Sequence, residues 1–349
     1  MVTLDFRSDT VTLPTPQMME AVRTAELGDA ARGDDPTVNT LEAVAAELTG
    51  KEAALFTPSG TMANLSALLT HVGPGQEVIV EERAHIFNSE AGGISAVAGA
   101  IPRALKGETG ILDPDDVKAA IRTAVSDHVA PTGLICLENT LNSAGGTILP
   151  LQRMSEIHDV AQEAGLPVHL DGARVFNAAA ALSCPVADIC RFADSVMFAL
   201  SKGLGAPVGS ILAGSRDFIA RAHRKARMLG GGMRQVGLIA APALVALQDP
   251  YPHLCRDHAL ARQLAEGLAA IDESLVRLET VQTNIVNCFV DRFAADARDI
   301  VAGLRAHGVL ANCAATKIRF VTHRHIDGTS VESCLAAVER VLGATRRAA

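Results

Sequence analysis

Short stretches that are apolar at almost every position constrain this chain more than any other feature. They include Glu77-Val78-Ile79-Val80, Leu134-Ile135-Cys136-Leu137, Pro167-Val168-His169-Leu170 and Ser195-Val196-Met197-Phe198-Ala199-Leu200. A strand apolar on alternate residues can face water on one side, whereas a strand apolar throughout has to be covered on both. Segments with helical spacing separate these runs. After Asp34-Asp35-Pro36, an acidic cap followed by Pro at the first helical position, Leu41, Val44, Ala45 and Leu48 share one face up to Gly50. Pro58-Ser59-Gly60-Thr61 opens a second helix with Met62, Leu65, Leu68 and Leu69 on its apolar face, and a third runs from Gln152 to Glu163 and stops at Gly165. Doubly buried strands alternating with helices predict an α/β fold: a mostly parallel central sheet with helices on both faces. In such sheets the functional groups gather on loops at the carboxyl ends of strands.

The pattern changes at Asp249-Pro250-Tyr251-Pro252. Beyond it come a helix from Ala259 to Ala270, an apolar run from Ile285 to Val290, a helix from Ala297 to Ala306, a strand from Ile318 to Val321 and a helix from Val331 to Leu342. This predicts a smaller C-terminal α+β domain. The expected division is an N-terminal segment of residues 1–15, a large domain of 16–250 and a small one of 251–349. A chain of 349 residues is longer than one hydrophobic core usually serves.

Composition removes several function classes. There is no Trp and one Tyr, Tyr251, so a base-stacking platform for single-stranded nucleic acid cannot be built. Net charge is −8, and the one basic cluster, Arg221, His223, Arg224, Lys225 and Arg227, is short, which argues against a nucleic-acid partner. That cluster is either a solvated helix face or an anion site at a subunit contact. No apolar run has the length of a membrane span, and Met1 to Thr12 lacks the basic and apolar regions of a secretory leader. The cysteines, 136, 184, 190, 255, 288, 313 and 334, are dispersed without a CxxC pair, the pattern of free thiols in a reducing compartment; a cytoplasmic location is expected. No cluster of ligand residues points to a metal.

Four segments place polar groups where strands should end. Ser201-Lys202-Gly203-Leu204-Gly205 follows an apolar strand, and a Lys there can reach an aldehyde cofactor while Gly allows close approach. The same position equally suits a snorkelling surface Lys. His169-Leu170-Asp171-Gly172-Ala173-Arg174 also sits at a strand end; Asp171 suits the carboxylate that pyridoxal phosphate needs against its pyridine nitrogen, or a plain helix cap. Ser59, Gly60 and Thr61 open a helix whose free N–H groups and dipole make a phosphate site. His85, after an acidic turn, can stack on a ring or move a proton, or serve structure alone.

Phosphate loop, His, Asp-x-x-Arg and Ser-Lys in this order resemble the fold type I family of pyridoxal-phosphate enzymes. Over nearly the whole chain the sequence is similar to the L-threonine aldolase and β-eliminating lyase group. The carrying segments are Phe6-Arg7-Ser8-Asp9-Thr10-Val11-Thr12, Gly33-Asp34-Asp35-Pro36-Thr37-Val38-Asn39, Glu90-Ala91-Gly92-Gly93, Leu137-Glu138-Asn139-Thr140, Asp171-Gly172-Ala173-Arg174, Ser201-Lys202-Gly203-Leu204-Gly205 and Gly230-Gly231-Gly232-Met233-Arg234-Gln235. The resemblance implies that Lys202 carries the cofactor as a Schiff base, Asp171 faces the pyridine nitrogen and His85 stacks on the ring. It implies cofactor contacts from Ser59, Gly60, Thr61, Glu138, Arg174 and Ser201, with phosphate help from Arg234 and Arg227 of a neighbouring subunit. Ser8, Arg174 and Arg319 would hold a substrate carboxylate, an anion that an Arg fork matches bidentately. A homotetramer built from dimers with shared sites is implied, as is cleavage of L-threonine, L-allo-threonine or a related β-hydroxy-α-amino acid to glycine and an aldehyde.

Two positions depart from the group's pattern. Leu141 stands where these enzymes usually have His after Glu-Asn-Thr, which predicts a more apolar pocket beside the β-carbon and leaves base duty to His85. A bulkier substrate such as a phenylserine becomes an alternative. Arg32 stands where Tyr is common; an ion pair with Asp29 or Asp34 is favoured over recruitment of a second acidic group. A β-eliminating lyase or aminotransferase on the same scaffold, and a cofactor-binding protein without turnover, stay open at this point.

Overall fold

The structure is a computed structural model that describes residues 3–123, 127–293 and 295–347. Its centre is a seven-stranded sheet in which Ala53–Thr57, Ser210–Gly214, Ser195–Ala199, Val168–Asp171, Thr132–Glu138, Glu77–Glu81 and Ile101–Leu105 lie side by side in that order. Ser210–Gly214 runs antiparallel to both its neighbours and every other pairing is parallel. The apolar runs of the sequence are the inner strands, buried at every position. Helices close both faces, and the resulting core extends from Met18 to Leu254.

Three strands of this sheet are not marked in the sequence. Ile101–Leu105 contains Pro102 and Arg103, which suits an edge strand whose outer side needs no ladder bond. Ala53–Thr57 and Ser210–Gly214 are too rich in small residues to stand out as apolar runs. A helix at Pro16–Thr24 also precedes the first one expected.

The helix Pro36–Thr49 forms where its caps place it: Asp35 accepts from Val38 N–H, and Gly50 leaves the helix at φ 66°. The helix Gly60–His71 corrects the expected face. Ala63, Asn64, Ser66, Ala67, Leu68 and Thr70 are the buried residues, whereas Met62, Leu65 and Leu69 are only partly covered. Small side chains let this helix lie close on the sheet, and the bulkier residues point aside, Leu65 onto Gly93.

The smaller C-terminal domain packs a three-stranded antiparallel sheet, Asn312–Ala314, Lys317–Val321 and Ile285–Phe289, under the helices Tyr251–Ile271, Ala297–Ala306 and Gly328–Arg347. The first of these begins at Tyr251, well before the expected Ala259, because Pro252 falls in the opening turn where no N–H is needed. Leu254 packs on the large core while Leu260, Leu264 and Leu268 enter the small one. The chain's beginning joins that second core. Leu4–Asp5 pairs in parallel with Val309–Leu310, and the fully buried Phe6 meets Phe320 edge-on at 6.1 Å.

Candidate active site

Sheet order gathers the first three groups. Thr132–Glu138, Val168–Asp171 and Ser195–Ala199 are parallel neighbours, with Glu138 opposite Asp171 and Asp171 opposite Met197. Their carboxyl ends therefore lie at one edge, where Glu138, Asp171 and the turn carrying Lys202 meet. That turn is held by Gly205 N–H to Lys202 C=O at 2.8 Å and Ala206 N–H to Leu200 C=O at 2.9 Å. Ser201 lies in the same turn. Gly203 is required there, since a Cβ would stand 2.8 Å from Asn177 Oδ1. The Lys202 amine makes no hydrogen bond or ion pair among the described residues. Burial, and then the positive Arg174, push its pKa below the ordinary lysine value.

His85 faces this edge from the loop after Glu77–Glu81. Its backbone N–H donates to Glu138 Oε2 at 2.6 Å, and its ring Nδ1 lies 2.9 Å from Glu90 Oε1. The Glu90 carboxylate raises the proton affinity of the ring, against the opposing effect of burial. A ring nitrogen of His85 and oxygens of Glu90 and Asp171 all lie within 4.8 Å of one another. Asn64 ties the carboxylates together by donating from Nδ2 to Glu90 Oε1 at 2.8 Å and to Asp171 Oδ2 at 3.0 Å. Asp171 Oδ1 accepts from Ala173 N–H at 3.1 Å. Glu138 divides its oxygens between the N–H groups of His85 and Asn142, at 2.6 and 2.9 Å, and so clamps two loops. Burial, with the negative Asp171 beside it, pushes the Glu138 carboxyl up to about 7.

Two cradles for anions flank these groups. At the start of the helix Gly60–His71, Ser59 Oγ accepts from Met62 N–H at 3.2 Å and Ser59 C=O accepts from Ala63 N–H at 3.1 Å. The N–H groups of Gly60 and Thr61 keep no partner among the described residues. A Cβ on Gly60 would stand 2.6 Å from Met197 Cε, so the backbone approaches closely here. The second cradle is built on Arg174, whose Nε and Nη2 donate to Asp9 at 2.8 and 2.7 Å in a fully buried pair. Burial alone would raise the Asp9 carboxyl, but the Arg174 guanidinium holds it well below the usual carboxylate range. Arg174 Nη1 remains, 3.3 Å from Asn142 Oδ1, and Arg319 Nη1 reaches the same oxygen at 2.9 Å. Ser8 lies alongside, its Oγ 3.4 Å from Asp9 Oδ1.

The fork of Arg174 is thus engaged by Asp9, and what it offers a substrate is a single N–H corner beside Arg319. Arg227 and Arg234 are not brought to this edge. Arg227 lines a separate cavity of about 350 Å³ with Arg32, His223 and Met233, and Arg234 sits 3.3 Å from Asp29. Arg32 pairs with Asp29 at 3.4 Å, the ion pair favoured from sequence. Leu141 is buried, with its side chain packed against Gly110. The next residue, Asn142, is the one turned toward the guanidiniums. Sequence reasoning gave no roles to Asp9, Asn64, Glu90 and Asn142. Asp9 and Glu90 do stand inside quoted motifs, the one signal that could have found them.

Comparison with known proteins places this geometry. Residues 5–291 match the model of the beta-eliminating lyase family. The probable low-specificity L-threonine aldolase 2 of Arabidopsis thaliana is 44% identical over 348 residues, covering 97% of each chain. The low specificity L-threonine aldolase of Escherichia coli K12 is 43% identical, covering 92% of this chain and 93% of its own. A putative L-allo-threonine aldolase structure from Listeria monocytogenes shares the fold with a TM-score of 0.80 at 22% identity, covering 97% and 96%.

Proposed function

The chain belongs to the beta-eliminating lyase family, and on that premise we propose that it is a pyridoxal-phosphate-dependent aldolase. It cleaves L-threonine, L-allo-threonine or a related β-hydroxy-α-amino acid to glycine and an aldehyde. The observation that carries this reading is the half-buried amine of Lys202, unpartnered among the described residues at the strand edge that holds Asp171, with an open helix start at Gly60 and Thr61.

These residues fit pyridoxal phosphate. Gly60 and Thr61 N–H, with the hydroxyl hydrogen of Ser59, would receive the phosphate. Lys202 would hold the aldehyde carbon and Asp171 the ring nitrogen. Both Asp171 oxygens keep a lone pair beyond the bonds they already accept. Glu138 supports from behind by positioning His85. When bound, the cofactor supplies an electron sink for the pair left on Cα.

The chain's own residues supply orientation and proton transfer. Arg319 and the Nη1 corner of Arg174, with Ser8, hold the substrate carboxylate; an anion that takes the place of Asn142 Oδ1 meets both guanidiniums. His85 takes the proton of the β-hydroxyl, its basicity raised by Glu90. Lys202, kept below the ordinary lysine pKa, returns a proton to Cα.

Arg227 and Arg234 act on the phosphate of a neighbouring subunit, within a homotetramer built from dimers. That neither makes a hydrogen bond to the groups around Lys202 among the described residues supports that role. Among the described residues no helix is long and apolar enough to cross a membrane, and the unpaired cysteines support a cytoplasmic location. The test is the visible spectrum of the purified protein, read with product analysis after adding L-threonine, L-allo-threonine or phenylserine. A cofactor band, with glycine and the matching aldehyde formed, is expected. Ammonia and a keto acid in place of glycine would move the assignment to β-elimination, and a colourless protein that cofactor cannot reconstitute would refute it.

A further inference from the structure

We propose that Asn64, His169, Ser195 and His71 form a buried, one-way hydrogen-bond chain that fixes the charge and aim of the Asp171 carboxylate, with His169 as its positioning residue. The inference rests on Asp171 facing the cofactor's ring nitrogen and says what makes that carboxylate competent.

Five contacts run outward from the site. Asn64 Nδ2 reaches Asp171 Oδ2 at 3.0 Å and Glu90 Oε1 at 2.8 Å. Asn64 Oδ1 lies 3.0 Å from His169 Nε2, His169 Nδ1 lies 2.8 Å from Ser195 Oγ, and Ser195 Oγ lies 2.7 Å from His71 Nε2. Asn64, His169 and Ser195 are fully buried, so each polar atom depends on the partners named.

The hydrogens can be placed in one way. Two carboxylates only accept, so the Asn64 amide nitrogen must face them and its carbonyl must face His169. That carbonyl requires a hydrogen on His169 Nε2. Burial, with the neighbouring His71 ring, pushes the His169 pKa down to about 3, so the ring is neutral and Nδ1 is bare. Ser195 must then donate to Nδ1, which leaves its oxygen to accept from His71 Nε2–H. His71 is itself pushed down to about 4 by burial and stacks on Phe218 at 4.5 Å.

Every dipole therefore points toward Asp171. A protonated Asp171 would waste the Asn64 donor, so the chain favours the anion, as aligned neutral donors do in a low-dielectric interior. With Oδ1 held by Ala173 N–H, the carboxylate plane is fixed at both ends. Through Glu90 the same amide also sets the His85 ring, so one side chain aligns two groups of the site.

The experiment compares His169→Leu with His169→Gln in the holoenzyme, Gln keeping an N–H toward Asn64. His169→Leu is expected to lower kcat about tenfold or more, the scale at which outer-shell partners of a reactive group act. KM should stay within about threefold, since the loss falls on transition-state stabilisation. The pH at which the cofactor band titrates should move, and His169→Gln should restore most of kcat. Wild-type kcat in His169→Leu, or equal losses in both variants with an unmoved band, would overturn the chain. Should His169→Leu not fold, Ser195→Ala serves, with a lower kcat and a shift of the same midpoint expected and wild-type behaviour overturning. Asp171→Asn separates the two levels. A band that moves there but in no chain variant sinks the chain alone, and a band indifferent to Asp171→Asn sinks the reading of Asp171 beneath it.

Discussion

Asp9 and Arg174 are 165 positions apart in the chain and form the most deeply buried ion pair among the described residues. Neither half is safe alone, because a lone charge in that place has no water to replace its partner. Asp9→Asn is expected to cost roughly 3–5 kcal/mol of stability, seen as a lowered midpoint in urea. Asp9 has a folded pKa far below its unfolded value, so its contribution is present above the unfolded pKa and fades only in strong acid. Glu90 and His85 make a second prediction. His85 works as a base only when neutral, and Glu90 raises its pKa, so kcat/KM falls toward acid as the ring gains a proton. Glu90→Gln should move that acid limb to lower pH and lower the plateau rate. An acid limb that stays in place in Glu90→Gln would show that another group titrates there.

At the scale of elements, burial decided what could be read from sequence. Inner strands covered on both faces announce themselves as apolar runs, and Pro36–Thr49 is framed by residues whose capping chemistry is local. The helix Gly60–His71 defeats the same logic: its sheet side carries Ala, Ser, Thr and Asn64, since close approach and a polar network there outweigh apolar area. Asn64 was therefore invisible, although it ties two carboxylates of the site. Lys202 and Asp171 were legible because their chemistry sits at strand ends; Asp9 and Asn142 were not, because their partners are brought by topology. Glu42, on the helix Pro36–Thr49, carries a prediction of this scale. Burial pushes its carboxyl up to about 7 while Oε1 accepts from Phe56 N–H at 2.8 Å. Below the unfolded pKa both states are protonated and nothing is lost. As pH rises toward 7 the unfolded chain ionises first, so stability falls and then levels. Glu42→Gln keeps the acceptor and removes the charge, so it should stabilise by roughly 2 kcal/mol at about pH 8 and hardly at all at about pH 4. Equal melting shifts at both pH values would show that ionisation of Glu42 is not the cause.

At the scale of the whole molecule, the division of labour within one chain poses the question of assembly. Neither Arg227, which lines another cavity, nor Arg234, which pairs with Asp29, makes a hydrogen bond to the groups gathered at Lys202, Asp171 and His85 among the described residues. A phosphate dianion held only by the N–H groups of Gly60 and Thr61 and a hydroxyl would keep most of its charge uncompensated, and a guanidinium is the natural complement. In the proposed homo-oligomer, closed point-group symmetry would supply one without any change in this chain, since a two-fold axis that brought one subunit's Arg234 to its neighbour's Gly60 would do the reverse as well. The consequence is a test by complementation. Lys202→Ala subunits lack the amine but retain the arginine, and Arg234→Ala subunits lack the arginine but retain the amine. Each homo-oligomer should be nearly inactive, the second mainly through weakened cofactor binding. Unfolding and refolding the two together should create sites with Lys202 from one chain and Arg234 from the other, and activity should return. If the mixture stays as inactive as its parts although mixed oligomers form, each chain builds its site alone, and Arg234 serves only its pairing with Asp29.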